Sequence, residues 1–301
     1  MTLFSIESPT WGDQYPASIQ DATVDALEGG SIIVFPNLAF RLEPDELKFL
    51  NPGAVHGAKN VSFNPATGKV GGTKVEGPAR EQLQALLNRF SRTTAALVRA
   101  LLTPYASGLQ QGRASLRPVE IAGRASSWRA DDTRLHVDAF PSQPVRDKRI
   151  LRVFTNINPA GQPRTWKVGG SFDDVARRFH HSLRAPAWGR HVGLYLVRMT
   201  KQVRTPYDHY MLQLHDLAKA DAAFQRASPQ AEVDFAPGTT WVVFSDQVLH
   251  AAMGGQHMME QTFYLPPEGL RHPHTSPLAV LERLTGRRLS GGAAAETATL
   301  A

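Results

Sequence analysis

The 301-residue chain contains no cysteine. That excludes disulfides, iron–sulfur clusters, thiolate zinc sites and cysteine nucleophiles, so any metal must be held by His, Asp or Glu. No uninterrupted apolar run approaches the roughly 18 residues of a membrane-spanning helix. The first residues, Met1 to Ser8, have no basic stretch followed by an apolar one, so no secretory signal is expected and the cytoplasm is the expected compartment. There is no Gly-rich phosphate loop and no regular βαβ alternation, which leaves Rossmann and P-loop readings without support. No repeat of solenoid length is visible.

What is present is a basic, moderately apolar chain. Its net charge of +6 and sequence pI near 9.7 favour anionic partners, or serve only as a solubility charge. Helical spacing is expected over 17–28 and 79–102, with a short helix opening at Pro44. Residues 51–77, rich in Gly, Asn, Pro and Lys, read as a surface loop. Strands are expected at 31–35, 113–121, 135–140, 148–158, 194–197, 239–244 and 259–265. Helices are expected at 172–184 and 207–227. The order is helices, strands, a helical insert, then strands, which predicts an α+β protein built on an antiparallel sandwich or barrel. The chain reads as one domain over 1–285 with its insert at about 172–230, and residues 286–301 read as a disordered tail.

His136-Val137-Asp138 places an imidazole and a carboxylate two residues apart. On a strand, residues i and i+2 project from one face, so both can reach one ion. A further His would complete the two-His, one-carboxylate set that suits non-haem Fe(II). His250, after the apolar segment Trp241 to Leu249, stands first for that place by position, and His257 second. His272 and His274 flank a proline; His180, His181 and His191 lie in the basic insert.

The segment from Trp128 to Asn158, with Asp-Asp-Thr-Arg-Leu-His-Val-Asp-Ala-Phe-Pro-Ser and Arg-Ile-Leu-Arg-Val-Phe-Thr-Asn-Ile-Asn-Pro, resembles the Kdo (3-deoxy-D-manno-oct-2-ulosonic acid) hydroxylases. So does Phe244-Ser245-Asp246-Gln247-Val248-Leu249-His250-Ala251-Ala252, and the resemblance runs from about residue 20 to 275. It implies a double-stranded β-helix (jelly-roll or cupin-like) core and an Fe(II)/2-oxoglutarate-dependent dioxygenase that uses O₂. The implied reaction hydroxylates C3 of the Kdo sugar in a Kdo-containing lipid A precursor, a modification of lipopolysaccharide. The implied iron ligands are His136, Asp138 and His250. The wider superfamily often supplies an Arg shortly after the distal His for the far carboxylate of 2-oxoglutarate. Positions 260–265 here are Glu-Gln-Thr-Phe-Tyr-Leu, so that cation must come from elsewhere.

The 152–158 strand offers one. Arg152, Phe154, Asn156 and Asn158 alternate with Leu151, Val153, Thr155 and Ile157, so one face is the more polar. If that face lines a barrel site, Arg152 presents a planar fork to a carboxylate, with Asn156 beside it and Arg134 the next candidate. The cluster Arg177, Arg178, Arg184, Arg190, Arg198, Lys201 and Arg204 predicts peripheral attachment to the anionic inner face of the cytoplasmic membrane. No nucleic-acid partner is expected. The competing readings are an Fe(II)/2-oxoglutarate hydroxylase of a protein or nucleic-acid residue, and a non-catalytic sugar- or lipid-binding barrel.

Overall fold

The computed structural model describes residues 2–56, 60–124, 126–187 and 189–291. The tail expected to be disordered lies outside the described residues over 292–301, as does the side chain of Arg190. The strands are β1 (Leu3–Ser5), β2 (Ile32–Phe35), β3 (Val61–Phe63), β4 (Val70–Gly71), β5 (Gln110–Arg117), β6 (Arg149–Asn156), β7 (Arg164–Gly169), β8 (Gln230–Phe235), β9 (Thr240–Phe244), β10 (His250–Gly254) and β11 (Met258–Leu265). The helices are α1 (Ala17–Glu28), α2 (Gly77–Leu101), α3 (Phe172–Phe179), α4 (Arg190–Leu196), α5 (Pro206–Ala220), α6 (Ala222–Ala227) and α7 (Pro277–Thr285).

Two sheets face each other. The larger has the order β1-β2-β9-β6-β11-β5-β3-β4, and the smaller β10-β7-β8. All pairings are antiparallel except β1 with β2. This is a jelly roll with added edge strands and helices. The alternation on β6 sorts its two faces. Leu151 and Val153 pack outward with Val242 and Phe244 against Val24, Leu27, Leu97, Val98 and Leu101 of α1 and α2. Phe154 points inward to an aromatic cluster with Trp166, Phe235 and Trp241. Phe235 and Trp241 stack with ring centroids 4.0 Å apart, and Trp166 meets the Trp241 ring edge-on at 5.5 Å. This cluster fills one part of the space between the sheets and leaves another part open.

Several elements depart from the expectations. Residues 135–140 do not form a strand: a single bridge joins His136 to His250, and beyond it the chain turns away, so that the Asp138 N–H donates to Ser245 O. The 51–77 segment holds the β3–β4 hairpin, because Val61 and Phe63 alternate with Ser62 and bury against α2 while pairing with β5. Residues 194–197 are helical, not extended. The Val197 N–H donates to Gly193 O at 3.0 Å, and a short apolar run does not by itself distinguish a strand from one helical turn. The 207–227 helix is broken at Asp221, which caps α6. Residues 286–291 are ordered: Leu289 is buried against α5 and α7, and Glu282 accepts its N–H. Strands β7 and β8, which bracket the helical insert, were not anticipated.

Candidate metal centre

The three ligand-type side chains converge although they come from distant parts of the chain. His136 and His250 are directly opposed, each N–H donating to the other's carbonyl at 3.0 and 2.9 Å. Leu249 is seated against Gly169, where a Cβ would lie 2.3 Å from the leucine Cδ2. Glycine there leaves room for the Leu249 side chain directly before β10. As a result, one ligand atom from each of His136, Asp138 and His250 lies within 4.8 Å of the others. Among the described residues this is the one His/Asp/Glu group that can hold a metal ion. His257 is remote from it, in the β10–β11 turn at φ 62°, and does not line the cavity.

Each imidazole is oriented by a backbone carbonyl. His136 Nδ1 lies 2.7 Å from Arg134 O, and His250 Nδ1 lies 2.8 Å from Val248 O. A carbonyl can only accept, so Nδ1 carries the proton and the Nε2 lone pair is left for a cation. Burial holds both imidazoles below their ordinary pKa, with His250 the next cause for His136. They are therefore neutral and competent as ligands. Burial pushes the Asp138 carboxyl upward, but the Arg152 guanidinium and the other groups around it, Ser245 among them, together outweigh it, and the group stays ionised well below the usual range. Its Oδ2 is buried with no hydrogen-bond partner. Two neutral imidazoles and an under-satisfied buried carboxylate fit a divalent cation.

Around this centre lies a cavity of about 630 Å³. Phe154 and Trp166 of the aromatic cluster line it, and Trp166 stacks on His250 at 5.0 Å with an interplanar angle of 21°. His215 of α5 meets His136 edge-on at 5.3 Å, and Lys219 of the same helix also lines the cavity. The opposite wall is ionic. Arg117 pairs with Glu260 at 2.9 Å, and Arg152 lies 3.4 Å from Glu260 and 3.3 Å from Asp138. Burial acts to raise Glu260, but Arg117 and Arg152 together hold it below its ordinary value.

Arg152 therefore lines the cavity as expected. The other two anticipated contacts do not. Asn156 is buried behind the wall, its amide donating to Gln162 O and Phe235 O. Arg134 reaches back to Asp131 and Lys219 O. Arg164 on β7 was not singled out from the sequence, yet it lines the cavity. It forms no ion pair among the described residues, donates to Gly255 O, and leaves its buried Nε without a partner. Burial first, and then Arg117, push its pKa down to about 9. It is a buried cation that Glu120, Asp132 and Glu260 influence only at a distance, with no carboxylate in direct contact. The signal for it was the alternation of Trp166 and Val168 with Thr165 and Lys167, which marks β7 as a half-buried strand.

The sequence profile of the 3-deoxy-D-manno-oct-2-ulosonic acid (Kdo) hydroxylase family matches residues 10–288. No curated protein sequence matches significantly. Among solved structures, the Kdo hydroxylase KdoO in complex with cobalt(II), described as a non-haem Fe(II) α-ketoglutarate-dependent dioxygenase, is 46% identical with a TM-score of 0.94, over 96% of this chain and 98% of that one. KdoO with α-ketoglutarate and Fe(III), and with succinate and Fe(III), are each 45% identical with TM-scores of 0.93 over the same shares. The extent of these matches, over a chain whose jelly roll gathers His136, Asp138 and His250, places it in the Kdo hydroxylase family.

Proposed function

We propose that the protein hydroxylates C3 of the Kdo sugar of Kdo–lipid A, with His136, Asp138 and His250 holding Fe(II). The carrying observation is the convergence of two carbonyl-oriented imidazoles and one ionised carboxylate in a single cavity. Iron bound there supplies the oxidative chemistry, which couples decarboxylation of 2-oxoglutarate by O₂ to insertion of one oxygen into a C–H bond. The rest is the work of the chain. Arg152 is ion-paired to two carboxylates, whereas Arg164 forms no ion pair among the described residues and keeps its buried Nε unpartnered, so the far carboxylate of 2-oxoglutarate is assigned to Arg164. Arg152 steadies Asp138 in its ionised form. Trp166 and His215 fix the imidazole planes and, with Phe154, keep one side of the site apolar, so that water is excluded from the reacting carbon. Mass spectrometry of Kdo–lipid A from cells with and without the gene tests the reading. One extra oxygen on Kdo should appear only with the gene, and identical lipids would refute it.

The insert supports a second element of the proposal, peripheral attachment to an anionic membrane. Two of the seven cations named in it are already ion-paired, Arg177 with Asp173 and Arg178 with Asp221. The apolar surface is the stronger support. Of the seven exposed large hydrophobic residues among those described, five are Val192, Tyr195, Leu196, Val197 and Met199, in one short segment. Arg198, also exposed, stands among them. Such a cluster is expected at an interaction or membrane surface. No described helix is long and apolar enough to cross a membrane.

A further inference from the structure

A second cavity, of about 350 Å³, draws its walls from some of the same elements as the metal cavity and has no part in the chemistry assigned above. Three elements wall both. β5 gives Arg117 to the first and Arg113 to the second, β11 gives Glu260 and Tyr264, and the chain after Asp138 gives Phe140 and then Gln143. The second cavity is cationic. Arg113, Lys148 and Lys201 line it, and none of its lining residues is acidic. Their side-chain hydrogen-bond partners are neutral: Ser62 Oγ at 3.5 Å from Arg113, Gln110 Oε1 at 2.8 Å from Lys148, and Gln143 Oε1 at 3.4 Å from Lys201. Elsewhere on this surface Arg177, Arg178, Arg271 and Arg283 each have an aspartate. The wall is shaped as well as charged. A Cβ on Gly112 would lie 2.8 Å from the Tyr264 ring and 3.0 Å from Thr262 O, so glycine is what allows that ring to lie against β5.

We propose that this cavity binds a phosphoryl group of the glycolipid acceptor while the reacting sugar occupies the metal cavity. The inference rests on the reading of the protein as a hydroxylase of an anionic glycolipid. A phosphate monoester carries about 1.5 to 2 negative charges and three acceptor oxygens, which suits three converging cations better than a single carboxylate does. Glu260 and Tyr264 are four residues apart on β11, roughly 13 Å along the strand, a span that an extended glycolipid can cover.

The test compares binding of Kdo–lipid A, in neutral detergent micelles at fixed salt, with binding of the same glycolipid after phosphatase treatment. The full chain is used, with intrinsic fluorescence as the readout. Phosphatase treatment should weaken binding to the unaltered protein by about tenfold or more. The double variant Lys148→Gln/Lys201→Gln should bind the phosphorylated form that much more weakly and show no further loss on phosphatase treatment. Arg113→Gln, judged folded by its melting curve, provides the same comparison if the double variant is unfolded. Equal binding of the two lipids by the unaltered protein, or undiminished phosphate dependence in the variants, overturns the proposal. So does an equal loss by the variants on anionic phospholipid vesicles free of glycolipid, because the phosphates recognised would then be the bilayer's. Succinate formation is measured in parallel. Phosphate-dependent binding without 2-oxoglutarate turnover would sink the hydroxylase reading and keep the site; turnover without phosphate dependence would do the reverse.

Discussion

His136 and His250 are each held by a carbonyl two residues away along the chain, Arg134 O and Val248 O, so their ligand geometry is built before any metal arrives. His136→Ala or Asp138→Ala should therefore abolish Fe(II)-dependent succinate formation while leaving circular dichroism and the melting temperature near the parent values. Asp138→Glu should fail too, because the longer arm misplaces the carboxylate. His257→Ala should keep its activity; loss there with retention in His250→Ala would exchange the two histidines. Arg164→Leu should raise the KM for 2-oxoglutarate by roughly tenfold or more, as expected when a buried carboxylate loses its charged partner. Arg152→Lys should act chiefly through metal affinity, since its charge faces Asp138. A KM effect confined to Arg152 would move the anchor to that residue. The grouping of His136, Asp138 and His250 was legible in the sequence because a His-x-Asp pair keeps its two side chains close together even where the expected strand is reduced to a single bridge. Arg164, Trp166 and Glu260 were not, because their roles depend on β7 pairing with β10 and β11 lying between β5 and β6.

The strands most easily read, β6 and β9, are buried on both faces; β9 is a continuous β-branched and aromatic run, and β6 carries Ile150, Leu151, Val153 and Phe154. β7 and β8 were missed because β8 is largely exposed and polar and the whole insert separates the two partners. α4 was misread for a different reason: Leu194 to Val197 has the composition of a strand, but no sheet edge receives it, and its apolar side chains are left outward. That outward face gives the element its expected behaviour. Leu196→Asp with Met199→Asp should reduce sedimentation with anionic vesicles several-fold without changing the melting temperature, because neither residue packs inside. Unchanged vesicle binding, or binding indifferent to salt in the unaltered protein, would remove the membrane assignment. At the opposite extreme, Trp241→Ala should cost about 3–5 kcal/mol, since the ring is fully buried and stacked on Phe235.

As a whole, the molecule is a jelly roll that packs aromatics into one part of its interior and keeps the other part for ions. The α+β pattern and the resemblance together gave that architecture; the two extra cations, Arg117 and Arg164, emerge only when the sheets are closed. A preformed metal centre also links metal to global stability. Co(II) at about a hundredfold excess over its Kd should stabilise the fold by about 2.7 kcal/mol, seen as a melting temperature several degrees higher that a chelator reverses. The same addition to His136→Ala should give little or no shift. The central claim is tested most directly with ¹⁸O₂: purified protein, Fe(II), 2-oxoglutarate and Kdo–lipid A are combined and the products are fragmented in a mass spectrometer. The account predicts one ¹⁸O in the Kdo fragment, none in the lipid A fragment, and one succinate formed per oxygen inserted. Succinate without label on the sugar, or label on lipid A alone, would contradict it.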